Sequence, residues 1–270
     1  MAGVGRPTCV EFAAMKSSGN DKKNSAKAAA IPKASRGLFS DFWFFMANKP
    51  AIPTLIEFAT EEQRRDYSSR IMQRLGIDVS KYAILNVHSI GVDVPTSFVF
   101  EELLAWDGNS ICWPNHIAPV ERMSGQLEHI QIFLLGKRKS VFGLRNGFLG
   151  LKFIPLFELD AIKFQTVPES SNFDNARYLL YECGGGYPIG IFTMYVRSWL
   201  PDRGELEQAQ LFMGVGFDFY GRKDWPKRHF ISTVWERVHN RVTANILNRF
   251  KQMCEAKFQA LQDGTSPRRD

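Results

Sequence analysis

The stretch that decides the fold lies near the end of the chain, from Thr233 to Leu261, and reads TVWERVHNRVTANILNRFKQMCEAKFQAL. Thr233 with Glu236 three residues later is a capping-box pattern, which predicts the start of an α-helix. Apolar residues recur there at steps of three and four, which aligns them on one face of about eight helical turns. They are Ile231, Val234, Val238, Val242, Ile246, Phe250, Cys254, Phe258 and Leu261. A stripe of this length has to pack against another element.

That element is predicted from the pattern between residues 83 and 219. Ala83 to Val94 alternates like a strand, Pro95 ends it, and Thr96 is the expected N-cap of a short helix from Ser97 to Ala105. A second short helical turn is expected from Trp113 to Pro119. The strand-like runs that follow are Gln126–Leu135, Lys139–Leu144, Phe148–Phe157, Ala161–Val167, Arg177–Cys183, Gly190–Trp199 and Ala209–Phe219. Turn residues separate most of these runs, which predicts a meandering antiparallel sheet and an α+β fold.

Several of these segments resemble the START-like helix-grip superfamily, which includes polyketide cyclase-like and coenzyme Q-binding proteins. They are Asn86-Val87-His88-Ser89-Ile90 leading into Val94-Pro95, Trp113-Pro114-Asn115-His116-Ile117-Ala118-Pro119-Val120, Tyr178-Leu179-Leu180-Tyr181-Glu182-Cys183 and the terminal helix. The resemblance covers roughly residues 83–262 and rests on the order of the elements. It implies a curved antiparallel sheet wrapped around the C-terminal helix, with two short helices after the first strand. It also implies a deep cavity between sheet and helix for sterols, phospholipids, quinones, polyketides or plant hormones.

The residues before this domain divide into a basic tail and an aromatic extension. The net charge of +6 comes mostly from residues 1–36, which hold seven Lys or Arg and two Asp or Glu. A charged tail is not the basic folded face that nucleic acids require, so no nucleic-acid partner is expected. The tail is rich in Ala, Ser and Asn and is predicted to be disordered, as are residues 263–270. Residues 37–82 form the extension, with a helix expected from Thr60 to Leu75.

The aromatic cluster of the extension has two interpretations. Beside a basic tail, its rings are typical of peripheral contact with a membrane interface. The rings concerned are Phe39, Phe42, Trp43, Phe44 and Phe45. Alternatively the cluster packs on the domain that follows, and the apolar residues that continue from Ile52 to Phe58 favour this second interpretation.

Motifs for covalent, metal or cofactor chemistry are missing from the sequence. It contains no G-x-S-x-G nucleophile elbow and no P-loop, and its five histidines are never spaced as a zinc motif. No catalytic residue, metal or cofactor is therefore predicted. The four cysteines are far apart and no run of about 20 apolar residues occurs, so a cytoplasmic protein is expected. An organelle signal in the tail is left open.

The candidate ligand-binding residues follow from the resemblance and from polar groups within apolar segments. Their proposed roles are to line the cavity, to orient a ligand through hydroxyl or imidazole groups, and to form its floor on the terminal helix. They are Trp113, His116, Tyr181, Phe192, Tyr195, Phe217, Trp235, Val238, His239 and Val242.

The expected function is binding of a hydrophobic or amphipathic small molecule, such as a lipid, quinone or polyketide, by a carrier or sensor. One alternative is a polyketide cyclase or dehydratase that uses acid/base catalysis by His116, Tyr181 or a buried Glu. Another is a membrane-associated adaptor that uses the aromatic extension and the basic tail. The ligand and the oligomeric state are not predicted.

Overall fold

A seven-stranded antiparallel sheet is the largest element of the protein. The computed structural model describes residues 30–60, 62–67, 84–122, 129–133, 155–166, 177–184, 189–199, 208–217 and 230–264. Its strands are β1 Ile84–Val92, β2 Val120–Arg122, β3 His129–Phe133, β4 Pro155–Thr166, β5 Arg177–Gly184, β6 Ile189–Trp199 and β7 Gln208–Phe217. Their order is β1-β7-β6-β5-β4-β3-β2, so β2 to β7 form a meander and the first strand pairs with the last. The β2 strand is shorter than anything the sequence pattern predicts.

Several helical segments accompany the sheet in the described part of the chain. Helix α1, Leu38–Asp41, continues directly into a π-helix, Phe42–Ala47, and a short helix α2 covers 62–67. Helix α3 is Thr96–Leu104, and the long terminal helix α4 is Phe230–Gln262. Three irregularities in the strand pairing, between Ile132 and Phe133, Ala161 and Lys163, and Ile189 and Ile191, locally bend the sheet.

The core lies between one face of the sheet and helices α3 and α4. Side chains alternate along a strand, so Met194 and Val196 of β6 share a face, as do Leu211 and Met213 of β7. All four are buried in one cluster with Val99 and Leu103 of α3 and with Leu247, Phe250, Met253 and Cys254 of α4. Burial of each large apolar side chain contributes roughly 1.5–3 kcal/mol. The predicted helix-grip architecture is confirmed.

Several details differ from the sequence-based prediction, and strand β4 joins parts of two predicted runs, Phe148–Phe157 and Ala161–Val167. Helix α4 begins at Phe230, before the Thr233 capping box, and Glu236 instead accepts a hydrogen bond from the amide of Asn86 at 3.1 Å. Helix α3 begins at Thr96 itself, with Pro95 as N-cap. The second short helix is replaced by turns, in which the amides of Ile117 and Ala118 both donate to the Pro114 carbonyl. The run Lys139–Leu144 lies outside the described residues.

The N-terminal extension packs on the outer face of α4. The Asn245 amide donates to the carbonyls of Phe45 and Asn48, at 3.0 and 2.9 Å. The Asn248 amide donates to the Ile52 carbonyl at 2.8 Å and accepts from the Ile52 backbone N–H at 2.9 Å. Phe45 is completely buried. These contacts support the packing interpretation for this part of the aromatic cluster.

A buried carboxylate fixes the start of the extension. Asp41 is fully buried and accepts hydrogen bonds from the Ser35 hydroxyl and from the backbone N–H groups of His116 and Ile117, the last at 3.1 Å. Arg249 of α4 donates to the carbonyls of Ile111 and Lys33. Ser35, just before the predicted boundary at residue 36, is buried and takes part in this contact. Residues 1–29 and 265–270 lie outside the described chain.

Removal of the Asn248 side chain should loosen the extension. Asn248→Ala removes both hydrogen bonds to the Ile52 backbone, and at about 0.5–1.5 kcal/mol for each bond we expect a loss of about 1–3 kcal/mol in the free energy of unfolding. Urea denaturation of the full-length protein measures this loss. Gln252→Ala, on an exposed position of the same helix, is the matched control and should stay within about 0.5 kcal/mol of the parent. Equal stability of the two variants would contradict the role given to Asn248.

Candidate functional site

An apolar cavity of about 90 Å³ lies between α4, strands β6 and β7, and the segment that follows α3. Its walls are formed by hydrophobic side chains from three parts of the fold and by two polar side chains. The sheet contributes Phe192, Met194, Leu211 and Met213, the segment 103–113 contributes Leu103, Trp106, Cys112 and Trp113, and α4 contributes His239, Val242, Thr243, Ile246, Leu247 and Phe250. No charged side chain occurs among these described lining residues, which makes the cavity suited to uncharged molecules.

The regular elements explain why these residues meet. On α4, positions 239, 242, 243, 246, 247 and 250 follow the three- and four-residue spacing of one helical face. On the sheet, Phe192 and Met194 are two apart, as are Leu211 and Met213, so each pair points to the same side. The cavity is thus the part of the helix–sheet core that is incompletely filled.

A glycine turn and an edge-to-face ring pair shape the wall after α3. Gly108 has a φ of 74°, and a Cβ there would lie 2.5 Å from the Val120 side chain, so only glycine fits without strain. The rings of Trp106 and Trp113 meet edge-on, with centroids 5.2 Å apart. The Trp113 indole N–H donates to the Ala118 carbonyl at 2.6 Å. Trp113 therefore offers the cavity an apolar ring whose polar group is already bonded.

His239 is the titratable imidazole of the cavity wall. Burial lowers its pKa to about 4, with a smaller contribution from nearby His88. The ring is therefore neutral at pH 7 and carries one donor and one acceptor nitrogen. Its Nδ1 lies 3.5 Å from the hydroxyl of Thr243, one turn further along the helix. These two side chains are the polar groups among the described residues of the wall.

A buried polar network involves His88 and connects β1 to α4. His88 is 1% exposed, with Nδ1 2.9 Å from the Thr54 hydroxyl and Nε2 3.2 Å from the Asn240 side-chain oxygen. Burial lowers the pKa of His88 to about 4, although the Asn240 bond acts in the other direction. The same Asn240 oxygen accepts from Asn86, which in turn bonds Arg64 of α2. The network fixes α4 relative to the sheet.

The described cysteines do not provide a reactive nucleophile. Cys112, on the cavity wall, and Cys254 are free and buried. Burial raises the pKa of the Cys112 thiol to about 12 and raises that of Cys254 well above its ordinary value. Both side chains are therefore neutral thiols at pH 7, whereas nucleophilic catalysis needs a thiolate.

The structure brings four of the ten candidate residues to the cavity. Trp113, Phe192, His239 and Val242 are on its wall. The side chains of Tyr181, Phe217 and Trp235 are outside the described part of the chain. Sequence reasoning did not include Leu103, Trp106, Cys112 or Thr243 among the candidates, nor the core residues of β7 that complete the wall. The helical spacing that selected Val242 also points to Thr243, but no local signal identifies Trp106.

The remaining three candidates lie elsewhere. His116 has Nδ1 3.0 Å from the Ser35 hydroxyl and 3.3 Å from Asp41, so its ring holds the extension. Tyr195 packs against Phe212 with ring centroids 5.8 Å apart, on the sheet face opposite the cavity. Val238 is 40% exposed. It lies near the start of α4, where no described residue covers the apolar stripe of the helix. These three are removed from the candidate site.

The comparisons with known proteins are as follows. No protein-family model matches the chain, and neither does any curated protein. The Zhui aromatase/cyclase from Streptomyces sp. R1128 is 17% identical, over 66% of this chain and 97% of that chain, with a TM-score of 0.40. A conserved protein from Geobacillus kaustophilus is 11% identical, over 64% and 97%, with a TM-score of 0.35. Norcoclaurine synthase from Thalictrum flavum, solved with dopamine and hydroxybenzaldehyde, is 11% identical, over 59% and 84%, with a TM-score of 0.28.

The class of protein follows from the chain's own topology. A meander whose last strand pairs with the first, closed by a long C-terminal helix over one sheet face, is the helix-grip arrangement. The chain has a helix-grip fold, with an apolar cavity between helix and sheet. No helix within its described residues is long and apolar enough to span a membrane.

Acid should destabilise the protein through the buried His88. The pKa of His88 is about 4 in the folded protein and near 6.5 in the unfolded chain, so the unfolded chain binds more protons between these values. The free energy of unfolding should therefore fall as the pH decreases from about 6.5 to about 4, by roughly 3 kcal/mol for His88 alone.

Urea denaturation of wild type and His88→Gln at several pH values measures this effect. The difference in free energy of unfolding between wild type and His88→Gln should be constant between about pH 7 and 8. Below about pH 6.5 the wild type should lose more stability than the variant. Carboxyl groups that titrate in acid are common to both proteins and cancel in the difference. Parallel curves over the whole range would show that His88 is not buried as a neutral ring.

Proposed function

We propose that the protein binds an uncharged, largely apolar small molecule in the cavity under α4, as a carrier or sensor and without covalent chemistry. The observation that carries this proposal is the wall itself, with twelve hydrophobic side chains and two neutral polar ones. Each 100 Å² of apolar ligand surface removed from water would contribute about 2.5 kcal/mol to binding.

The polar groups narrow the chemical class of the ligand. A carboxylate or phosphate in this cavity would need a positive partner, and the lowered pKa of His239 keeps its imidazole neutral at pH 7. A hydroxyl, phenol or carbonyl oxygen can be buried with one hydrogen bond to a neutral partner, and the wall carries two neutral polar side chains, His239 and Thr243. We therefore favour a ring or chain with one neutral polar end. The cavity of about 90 Å³ is smaller than the roughly 300–1,000 Å³ of typical small-molecule sites, so a quinone, sterol or aromatic polyketide would fit only if the side chains of the wall move apart.

Acid/base catalysis on a polyketide-like substrate is the weaker alternative. Of the residues considered for it, His116 bonds Ser35 and Asp41 away from the cavity, and Tyr181 has no described side chain. His239 does reach the cavity, but a base with a pKa of about 4 accepts protons poorly at neutral pH. No described residue pairs an acid with a base on the wall, which favours binding over catalysis.

A cavity-filling substitution tests the proposed site. Val242→Phe adds a ring to the wall, and we expect it to weaken binding of the neutral fluorescent probe N-phenyl-1-naphthylamine by about tenfold or more. Val238→Phe makes the same chemical change one turn away, at a position that is 40% exposed and outside the cavity. It should bind like the parent. Fluorescence titration of the full-length proteins measures both affinities.

Two results would argue against this site. Equal probe affinity of parent and Val242→Phe would place the bound probe elsewhere on the protein. Equal weakening by Val238→Phe would show a general effect of an added ring on α4. Thermal unfolding of each variant controls for overpacking, which costs about 1–3 kcal/mol in well-packed cores.

A further inference from the structure

The N-terminal extension exposes four large apolar side chains on one side of its first helical segment. Leu38, Phe39, Phe42 and Trp43 are 54%, 80%, 51% and 55% exposed. We call them the aromatic patch. Their spacing places Leu38 beside Phe42 and Phe39 beside Trp43, one turn apart. The other side of the same segment carries the buried Asp41 and Phe45, so the segment already has its contact with the protein.

The patch is held in place by contacts beneath it. Asp41 accepts hydrogen bonds from Ser35 and from the backbone of His116 and Ile117. The guanidinium of Arg249 lies 4.6 Å from the ring centroid of Phe44, next to the patch. A rigid segment loses little conformational entropy when it binds, so these contacts favour docking of the exposed side. Exposure of four such side chains does not help folding, and clustered apolar surface of this kind marks an interaction site.

The charge around the patch points to the partner. Lys33, Arg36 and Lys49 are exposed, and the acidic residue of the segment from 30 to 56, Asp41, is buried. The exposed charged side chains closest to the rings in sequence are therefore basic. The preceding residues 1–29 add five Lys or Arg and two Asp or Glu in sequence. A partner for this surface must accept aromatic rings and carry negative charge over a wide area.

We propose that the aromatic patch docks on the surface of an anionic lipid membrane. Phe39, Phe42 and Trp43 insert into the interface between headgroups and acyl chains, a depth that Trp and Phe favour. Lys33, Arg36 and Lys49 contact the anionic headgroups, each basic residue near such a surface adding to the attraction. The contact is peripheral and reversible, and it leaves α4 and the cavity intact.

Vesicle sedimentation of the full-length protein tests this proposal. Vesicles of phosphatidylcholine with about 30% phosphatidylserine should bind the protein at least about tenfold more tightly than vesicles of phosphatidylcholine alone. The double substitution Phe39→Ser with Trp43→Ser should reduce binding to the anionic vesicles by about tenfold or more, since it removes the two most exposed rings. Raising the salt from about 0.1 to 0.5 M should weaken binding of the parent.

A matched control and a second observable keep the test decisive. Leu261→Ser removes an apolar side chain that is 55% exposed at the far end of α4, and it should bind like the parent. Thermal unfolding should be the same for all variants because the changed side chains are exposed. If the double variant unfolds, quenching of Trp43 fluorescence by brominated lipid is measured instead. The contribution of Trp43 is the difference in tryptophan quenching between the parent and Trp43→Phe.

Three outcomes would overturn the proposal. Equal vesicle binding by the parent and the double variant would show that basic residues bind the membrane without insertion of Phe39 and Trp43. Absence of binding to either vesicle by the parent would exclude a membrane partner. A dimer in sedimentation equilibrium that the double variant converts to monomer, without vesicle binding, would assign the patch to a second copy of the chain.

Discussion

Helix α4 is covered on two sides, and the rest of the structure depends on this. Six consecutive residues, from Thr243 to Asn248, are buried, whereas a helix that lies on a sheet with its outer face in water exposes residues on every turn. The inner face contributes Ile246 and Leu247 to the cavity wall. On the outer face, Asn245 and Asn248 bond the backbone of the extension. The extension therefore completes the folded domain, and a helix-grip unit without it would leave these asparagines without their partners.

The cavity and the extension share supporting residues. The segment from Ile111 to Ile117 carries Cys112 and Trp113 on the cavity wall, and its backbone also bonds Arg249 and Asp41. A displacement of the extension would therefore also displace Cys112 and Trp113 on the cavity wall. The proposed membrane contact lies on the same extension, one helical turn from Asp41. A ligand carrier that docks on a membrane through this segment would hold its cavity wall close to the source of an apolar ligand.

The features that were predictable from sequence are those set by local spacing. The three- and four-residue steps of α4 identified Val242 and Ile246, and alternation located most of the strands. Strand spacing also shows that Phe192 and Tyr195, three residues apart, point to opposite faces, but it does not say which face is inside. The contact of His116 with Asp41 could not be predicted from local spacing, because the two residues are 75 positions apart in sequence. The asparagines on the outer face of α4 have the sequence pattern of a solvent-exposed face. Only the structure shows that they bond carbonyl groups of the extension.

Native mass spectrometry of gently purified full-length protein would show whether the cavity holds an uncharged apolar molecule. We expect an added mass in stoichiometric amount that disappears on denaturation. Val242→Phe should lose this added mass, and Val238→Phe should retain it. Extraction and identification should then give a molecule with one neutral polar end. Co-purification of an anionic metabolite that needs a charged partner, retained equally by both variants, would rule out an uncharged ligand in this cavity.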